Sequence, residues 1–275
     1  MPKVLFFFFF SLFISSCSEN SKQQILQGEI YGTTWQIKYF PKDEGNSDFI
    51  QSIVINELNR IDNLFSHYKD DSITSLLNNN QIAYKETSEE WKNLDQIGWT
   101  VHKDSNGSFN HKIKGNYDFN SFAKGYAVDK VSDVLKANNI SNFMIEIGGE
   151  LRFEGHNNSQ SWTFAIEDPS LIKTIHKKFY SLSNLSIASS GNYRNPGHIL
   201  NPLTSKPSQT NILSVTVIDK NSTTLADAWA TALYASPKNE WLNLAKQNNL
   251  NAYFIYEEDE EIKNISTSSW YELVE

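Results

Sequence analysis

Two hydrophobic periodicities alternate along the chain. Between positions 48 and 65, Ile50, Ile53, Val54, Leu58, Ile61, Leu64 and Phe65 recur at helical spacing and predict a helix with one apolar face. Residues 88–103 predict a second helix, and Ala123–Ala137 a third with Tyr126, Ala127, Val131, Val134 and Leu135 inward. Leu225–Ala235 and Trp241–Gln247 predict two more. Runs rich in β-branched and aromatic residues predict strands at Ile30–Phe40, Phe143–Ile147, Leu151–Gly155, Trp162–Glu167, Phe179–Ala188, Leu213–Asp219 and Ala252–Tyr256. Asp71–Asn80 reads as a turn ending in an asparagine run, and Glu257–Glu261 as an acidic turn. Strands and helices mix without βαβ regularity, and no internal repeat intervenes. The expected fold class is therefore α+β, a single two-lobed domain of mixed sheets and packed helices.

The beginning of the chain follows a different pattern. Lys3 precedes an apolar run from Val4 to Ile14, then Ser15, Ser16, the single cysteine Cys17 and a polar stretch. A positive start, a short apolar segment and a small-residue boundary describe a secretory signal. At ~1.5 Å per residue this run is about half the length needed to cross a hydrocarbon core of ~30 Å. Cys17 directly after Ile14-Ser15-Ser16 resembles the lipobox of bacterial lipoproteins, in which that cysteine is lipidated and becomes the first mature residue. The expected organisation is a signal peptide over 1–16, a tether over 17–27 and a folded domain over 28–275. The expected location is the bacterial cell envelope, lipid-anchored in the inner or outer membrane and facing the periplasm.

Composition removes several function classes. The 275 residues are 39% hydrophobic and 20% charged, which suits a folded body with a sizeable core. A net charge of −8 lacks the basic footprint of a nucleic-acid binder. One cysteine allows neither an internal disulfide nor a cysteine-built zinc site. GxxxxGK[ST], HExxH, GxSxG and a strand-linked GxGxxG are all missing, and the six histidines do not fall at metal-ligand spacing.

Three segments carry candidate chemistry. Asp118-Phe-Asn-Ser-Phe-Ala-Lys-Gly-Tyr-Ala-Val-Asp129 runs from a loop carboxylate into a helix with Lys124 in its first turn. Free N–H groups and an ammonium there suit a pyrophosphate, although an ordinary helix start with a solvated lysine has the same composition. In Thr224-Leu-Ala-Asp-Ala-Trp-Ala-Thr-Ala-Leu233, Asp227 and Thr231 stand four apart on one helix face. Their hard oxygens suit Mg²⁺, and equally a dipole-favoured Asp with a back-bonded Thr. Ser189–Pro202 could present His198 as a base, or hold it as a structural residue.

In this order the segments resemble the ApbE family of FAD:protein FMN transferases, whose members are often lipoproteins. Tyr31-Gly-Thr-Thr-Trp35 is similar to that family's first strand. Glu57–Asp62 with Ser66-His-Tyr-Lys-Asp-Asp-Ser72 is similar to its helix and flavin-contacting loop. Asp118–Asp129, Ile147-Gly-Gly-Glu150, Ser190-Gly191, His198-Ile-Leu-Asn-Pro202 and Leu225–Leu233 complete a resemblance over about residues 28–257. It implies Mg²⁺-dependent transfer of FMN from FAD to a threonine or serine hydroxyl of an acceptor protein, with release of AMP. Asp227 and Thr231 would ligate the metal with the Ser121 carbonyl. Tyr68 would lie on or beside the isoalloxazine, and Tyr31, Asp118, Lys124 and Ile199 would line the FAD site. His198 would serve as base, making it and Asp227 the catalytic pair. The same site acting on water would be an FAD pyrophosphatase, and a site without chemistry a flavin-binding lipoprotein.

The chain departs from the family pattern on the flavin side. Asn120-Ser121 replaces the usual small pair, Asn201 a carboxylate, and Ser205 a turn glycine. Only Asn110–Tyr117 stands where members carry a longer aromatic insert. Weaker affinity for FAD or a differently shaped pocket is the expected result.

Overall fold

The computed structural model describes residues 22–41, 46–170, 172–193, 196–197, 199–202, 204–208, 210–237 and 240–274. The signal segment, Cys17 and His198 lie outside the described residues. In chain order, the first elements are β1 (Gln24–Ile30), β2 (Thr33–Tyr39), α1 (Ser47–Phe65), α2 (Ile73–Asn78) and α3 (Glu89–Asp104). A small hairpin, β3 (Lys112–Ile113) and β4 (Asn116–Tyr117), leads to α4 (Ala123–Ala137), β5 (Phe143–Ile147) and β6 (Glu150–Glu154). Next come β7 (Trp162–Glu167), β8 (Ile175–Leu182), β9 (Leu185–Ser190), β10 (Leu200–Asn201) and β11 (Lys206–Pro207). The last are β12 (Ile212–Asp219), α5 (Thr223–Ala235), α6 (Trp241–Gln247), β13 (Asn251–Glu258), β14 (Glu261–Ser266) and α7 (Tyr271–Val274).

The architecture is α+β. Eight strands form one antiparallel sheet in the order β1-β2-β5-β6-β9-β12-β13-β14. Because side chains alternate faces along a strand, each central strand feeds two cores. On one face Trp35, Ile37, Ile145, Val215, Val217 and Phe254 meet the helices, including Leu58 and Ile61 of α1, Val131 of α4 and Leu233 of α5. On the other, Met144, Phe153, Ile187, Ile218, Tyr253 and Ile255 are covered by the β7–β8 ribbon and α7 through Trp162, Phe164, Phe179 and Val274. Among the described residues no helix is long and apolar enough to cross a membrane.

Four details differ from the sequence expectation, each for a local reason. Gln24–Gln27, expected in the tether, pair with Gln36–Tyr39 as part of β1 and bury Leu26. Ile30–Phe40 is not one strand, because Tyr31 and Gly32 both take positive φ (53° and 71°) and turn β1 into β2. Phe179–Ala188 likewise splits at Asn184 (φ 54°): β8 stays in the ribbon and β9 enters the main sheet. Within 71–80, residues 73–78 form α2, capped by Ser72, whose Oγ accepts from the Ser75 N–H at 3.0 Å.

The α4–α5 contact fixes the centre of the molecule. Ser222 caps α5, its hydroxyl oxygen accepting from the Leu225 N–H at 3.1 Å, and Asp129 of α4 binds the same helix end from outside. Its carboxylate accepts from the N–H groups of Thr223 (2.7 Å) and Thr224 (3.0 Å) and from the hydroxyls of Thr224 (2.7 Å) and Ser222 (3.1 Å). Negative charge at a helix N-terminus meets free N–H groups and the positive dipole end together. Two turns along α5, about 12 Å, match four residues of strand, about 13 Å. Accordingly Thr223 pairs with Ser186 at one end of β9 (2.9 Å), and Thr231 lies 3.4 Å from Ser190 at the other. Replacing Asp129 by Ala should lower unfolding free energy by about 2–4 kcal/mol, read from urea midpoints. A loss under about 0.5 kcal/mol would mean that the clamp contributes nothing measurable.

Candidate active site

The helix pair crosses where Gly125 faces Asp227. A side chain at 125 would begin 2.4 Å from the Thr223 carbonyl oxygen and 2.8 Å from the Asp227 Cβ, so only glycine permits the approach. At that distance the Gly125 N–H donates to Asp227 Oδ2 at 3.0 Å. One turn further along α5, the Thr231 hydroxyl donates to the Ser121 carbonyl at 3.3 Å. The structure thus brings together Ser121, Asp227 and Thr231, three residues 110 positions apart at most in sequence. Among the described residues no group of three or more His, Cys, Asp or Glu side chains could hold a metal. The oxygen set here is instead one carboxylate, hydroxyls and a carbonyl, the hard donors that suit Mg²⁺.

Lys124 enters the same corner from the first turn of α4. Its Nζ pairs with Glu150 Oε1 at 2.7 Å, and Glu150 is only 2% exposed on the side chain. The second Glu150 oxygen is buried with no hydrogen-bond partner. Burial works against the Lys124 charge, but the Glu150, Asp227 and Glu146 carboxylates outweigh it and hold the ammonium protonated. Burial pushes the Asp227 carboxyl up to about 6, opposed by Lys124 and the Gly125 N–H and reinforced by Asp129. Burial also raises the Glu150 carboxyl, with Lys124 opposing and Asp227 adding to the shift. One ammonium therefore faces three carboxyls, each of which burial pushes toward its neutral form, and one buried Glu150 oxygen has no partner. Those are features a small cation would relieve.

A cleft of about 940 Å³ opens from this corner. Its wall includes Tyr68, Asp118, Asn120, Lys124, Glu150, Ile199, Asp227 and Thr231. Tyr68 is 77% exposed, its ring centroid lies 4.0 Å from that of His67, and its hydroxyl accepts from Asn120 Nδ2 at 3.2 Å. Such an upright aromatic face at a rim is available for stacking. Asp118 accepts from the Asn120 N–H at 3.0 Å and lies 3.3 Å from His67 Nδ1. Ile199 is buried in the wall, its N–H donating to Asn192 Oδ1 at 3.3 Å. Tyr31 does not line the cleft. Its turn conformation aims the ring into the helical layer, where the hydroxyl donates to the Leu58 carbonyl at 2.7 Å.

Three contributors carried no role in the sequence reading. Glu150 stood inside a quoted motif, but only the pairing of β5 with β6 shows it facing Lys124. Ser190 reaches Thr231 through the strand–helix register described above. His111, fully buried, holds Asp95 Oδ1 with Nε2 at 2.7 Å, and its carbonyl accepts from the Asp118 N–H at 2.8 Å. It thereby anchors the loop that carries Asp118. The short β3–β4 hairpin, turning at Lys114 and Gly115, presents Lys112, Ile113 and Lys114 to the cleft, in the segment that the sequence reading marked as shortened.

Comparison with known proteins finds relatives along nearly the whole chain. An FAD:protein FMN transferase of Vibrio cholerae serotype O1 is 27% identical, with 94% of this chain and 95% of that protein covered. The FAD:protein FMN transferase of Haemophilus influenzae is 33% identical over 67% of this chain and 56% of that protein. Among solved structures, the flavin transferase ApbE from Vibrio cholerae superposes with a TM-score of 0.83 at 26% identity, covering 92% of this chain and 99% of that one. The apo flavinyl transferase ApbE of Pseudomonas stutzeri gives 0.81 at 27% identity, covering 92% and 96%. The ApbE family model matches residues 31–116 and 111–254, a span that contains Lys124, Glu150 and Asp227, and the chain belongs to the ApbE family.

Proposed function

We propose that this protein is an FAD:protein FMN transferase that moves the FMN half of FAD onto a threonine or serine hydroxyl of an acceptor protein, assisted by Mg²⁺. A bond forms between the acceptor oxygen and the FMN phosphorus. The bridging P–O bond to AMP breaks, AMP leaves, and the hydroxyl proton passes to a base. The observation that carries this reading is the gathering of the Asp227 carboxylate, Thr231 hydroxyl and Ser121 carbonyl beside Lys124 at the floor of the cleft. These three residues would hold the cation, and the idle Glu150 oxygen marks where positive charge is wanted. When bound, Mg²⁺ supplies Lewis-acid stabilisation of charge developing on pyrophosphate oxygens.

The chain's own groups supply the rest. Lys124, kept protonated by its carboxylates, places a fixed positive charge where phosphate oxygens gain negative charge. Tyr68 offers its exposed face to a flavin ring, with Asn120 fixing its hydroxyl. Asp118 and Ile199 bound the nucleotide's path. His198 is assigned as base from the family resemblance alone. The apolar run before Cys17 supports a lipid anchor on that cysteine and a periplasm-facing position.

The direct test mixes the full-length chain in detergent with FAD, Mg²⁺ and a peptide library carrying one central threonine. A fluorescent covalent adduct and AMP in equal amounts are expected. AMP without adduct would identify an FAD pyrophosphatase instead. Asp227→Ala should reduce turnover by about 10²-fold or more; full activity in that variant would remove the metal assignment.

The raised Asp227 carboxyl gives a readout independent of catalysis. A carboxyl whose folded pKa exceeds its unfolded value binds its proton more tightly when folded. Its stabilising contribution is present below about pH 4 and lost as pH rises through about 6. The metal-free protein should therefore lose thermal stability across that window, and Asp227→Asn should lose less. Mg²⁺ added at pH 7.5 should raise the parent's Tm and leave that of Asp227→Asn unchanged. Equal shifts in both proteins would place the cation elsewhere.

A further inference from the structure

A second depression of about 740 Å³ lies on the opposite face of the principal sheet from the helices. Its floor is built from side chains at alternating strand positions: Gln27 and Glu29 of β1, Thr34, Gln36 and Lys38 of β2, and Met144 and Glu146 of β5. The strand pairing sets Gln27 opposite Gln36 and Glu29 opposite Thr34, so an amide pair and a carboxylate–hydroxyl pair lie side by side on the floor. One wall is β7. Four consecutive residues, Trp162 to Ala165, line the depression, which is what a strand presents edge-on rather than by one face. Among the described residues β7 pairs only with β8, leaving its other edge open.

This groove has one closed end and one open end. At the closed end Gln23 Nε2 donates to Asn157 Oδ1 at 3.1 Å. At the other, Thr34, Glu146, Leu151, Phe164 and Ala165 line both the groove and the main cleft, so the two are continuous. The groove joins the cleft through these residues, whereas Tyr68, Asp118 and Asn120 border the cleft but not the groove. A phosphoryl-type transfer needs the attacking and leaving oxygens roughly in line, so its two substrates must approach the phosphorus from different sides.

We propose that this groove receives an extended segment of the acceptor protein, which adds a strand along the open edge of β7 and carries its hydroxyl past Glu146 toward Lys124. Main-chain hydrogen bonds along an edge give affinity for an extended peptide irrespective of its side chains, and flanking amides reinforce them. From Lys38 to Thr34 the floor spans roughly 14 Å, enough for four or five extended residues. The inference rests on the transferase reading and adds where its second substrate binds.

Two variants test it without touching the metal corner. Thr163→Arg places a bulky charge at an exposed position on the β7 edge, and Gln36→Trp fills the floor. Each should raise the KM for the threonine peptide pool about tenfold or more, with FAD affinity (flavin fluorescence) and Tm unchanged. A photo-crosslinking side chain at 163 should label bound peptide, and unlabelled peptide should compete. KM values within twofold of the parent in both variants, or no crosslink, would overturn the groove while leaving the transferase reading intact. A loss of FAD affinity would make it a nucleotide subsite instead, and a change in sedimentation would make it a contact between copies. No adduct from the parent chain would overturn the transferase reading and the groove with it.

Discussion

The structure turns on the close approach of α4 to α5. Two carboxylates from opposite partners stitch that approach: Asp129 of α4 satisfies the first N–H groups of α5, and Asp227 of α5 accepts from the Gly125 N–H of α4. Neither helix could sit so close with a side chain at 125. Because α4 also packs on β5 and β6, and α5 on β6, β9 and β12, the contact sets Lys124, Asp227 and Thr231 relative to the sheet and not only to each other. Helix pairing, strand register and candidate chemistry are therefore one constraint seen at three scales.

That geometry concentrates charge in a way ordinary packing avoids. Buried carboxylates are costly unless paired, and Glu146, Glu150 and Asp227 share a single ammonium. Burial raises the proton affinity of the Glu150 and Asp227 carboxyls, neighbouring carboxylates add to it, and one oxygen of Glu150 is left without a partner.

The sheet separates two tasks. Its helical face anchors the charged corner through β9 and the small residues of α5, while its other face supports the β7–β8 ribbon and leaves part of the β1–β2 surface open. The ribbon exists because the chain turns at Asn184, sending β8 and β9 into different layers. The short β3–β4 hairpin leaves lysines, rather than aromatic bulk, along the cleft wall.

Much of this was legible from residue order. The helices at 48–65, 123–137 and 225–235 follow from apolar spacing, and the α+β class from the way they alternate with strands. Spacing also put Asp227 and Thr231 on one face, because a helix fixes neighbours four apart. The paired motifs identified the family. Positive-φ turns at Tyr31 and Asn184 were hidden, since residues flanking them are strand formers and the turn is set by which partners the strands find. For the same reason the sequence assigned Gln24–Gln27 to a tether and Tyr31 to a ligand wall, whereas pairing with β2 makes the first a strand and turns the second inward. The Glu150 contact, the Ser190 register, the hold of Asp129 on α5 and the groove beside β7 all join residues distant in the chain. Local preference determines which segments are helix or strand; only the mutual burial of those segments decides which charges end up sharing one pocket.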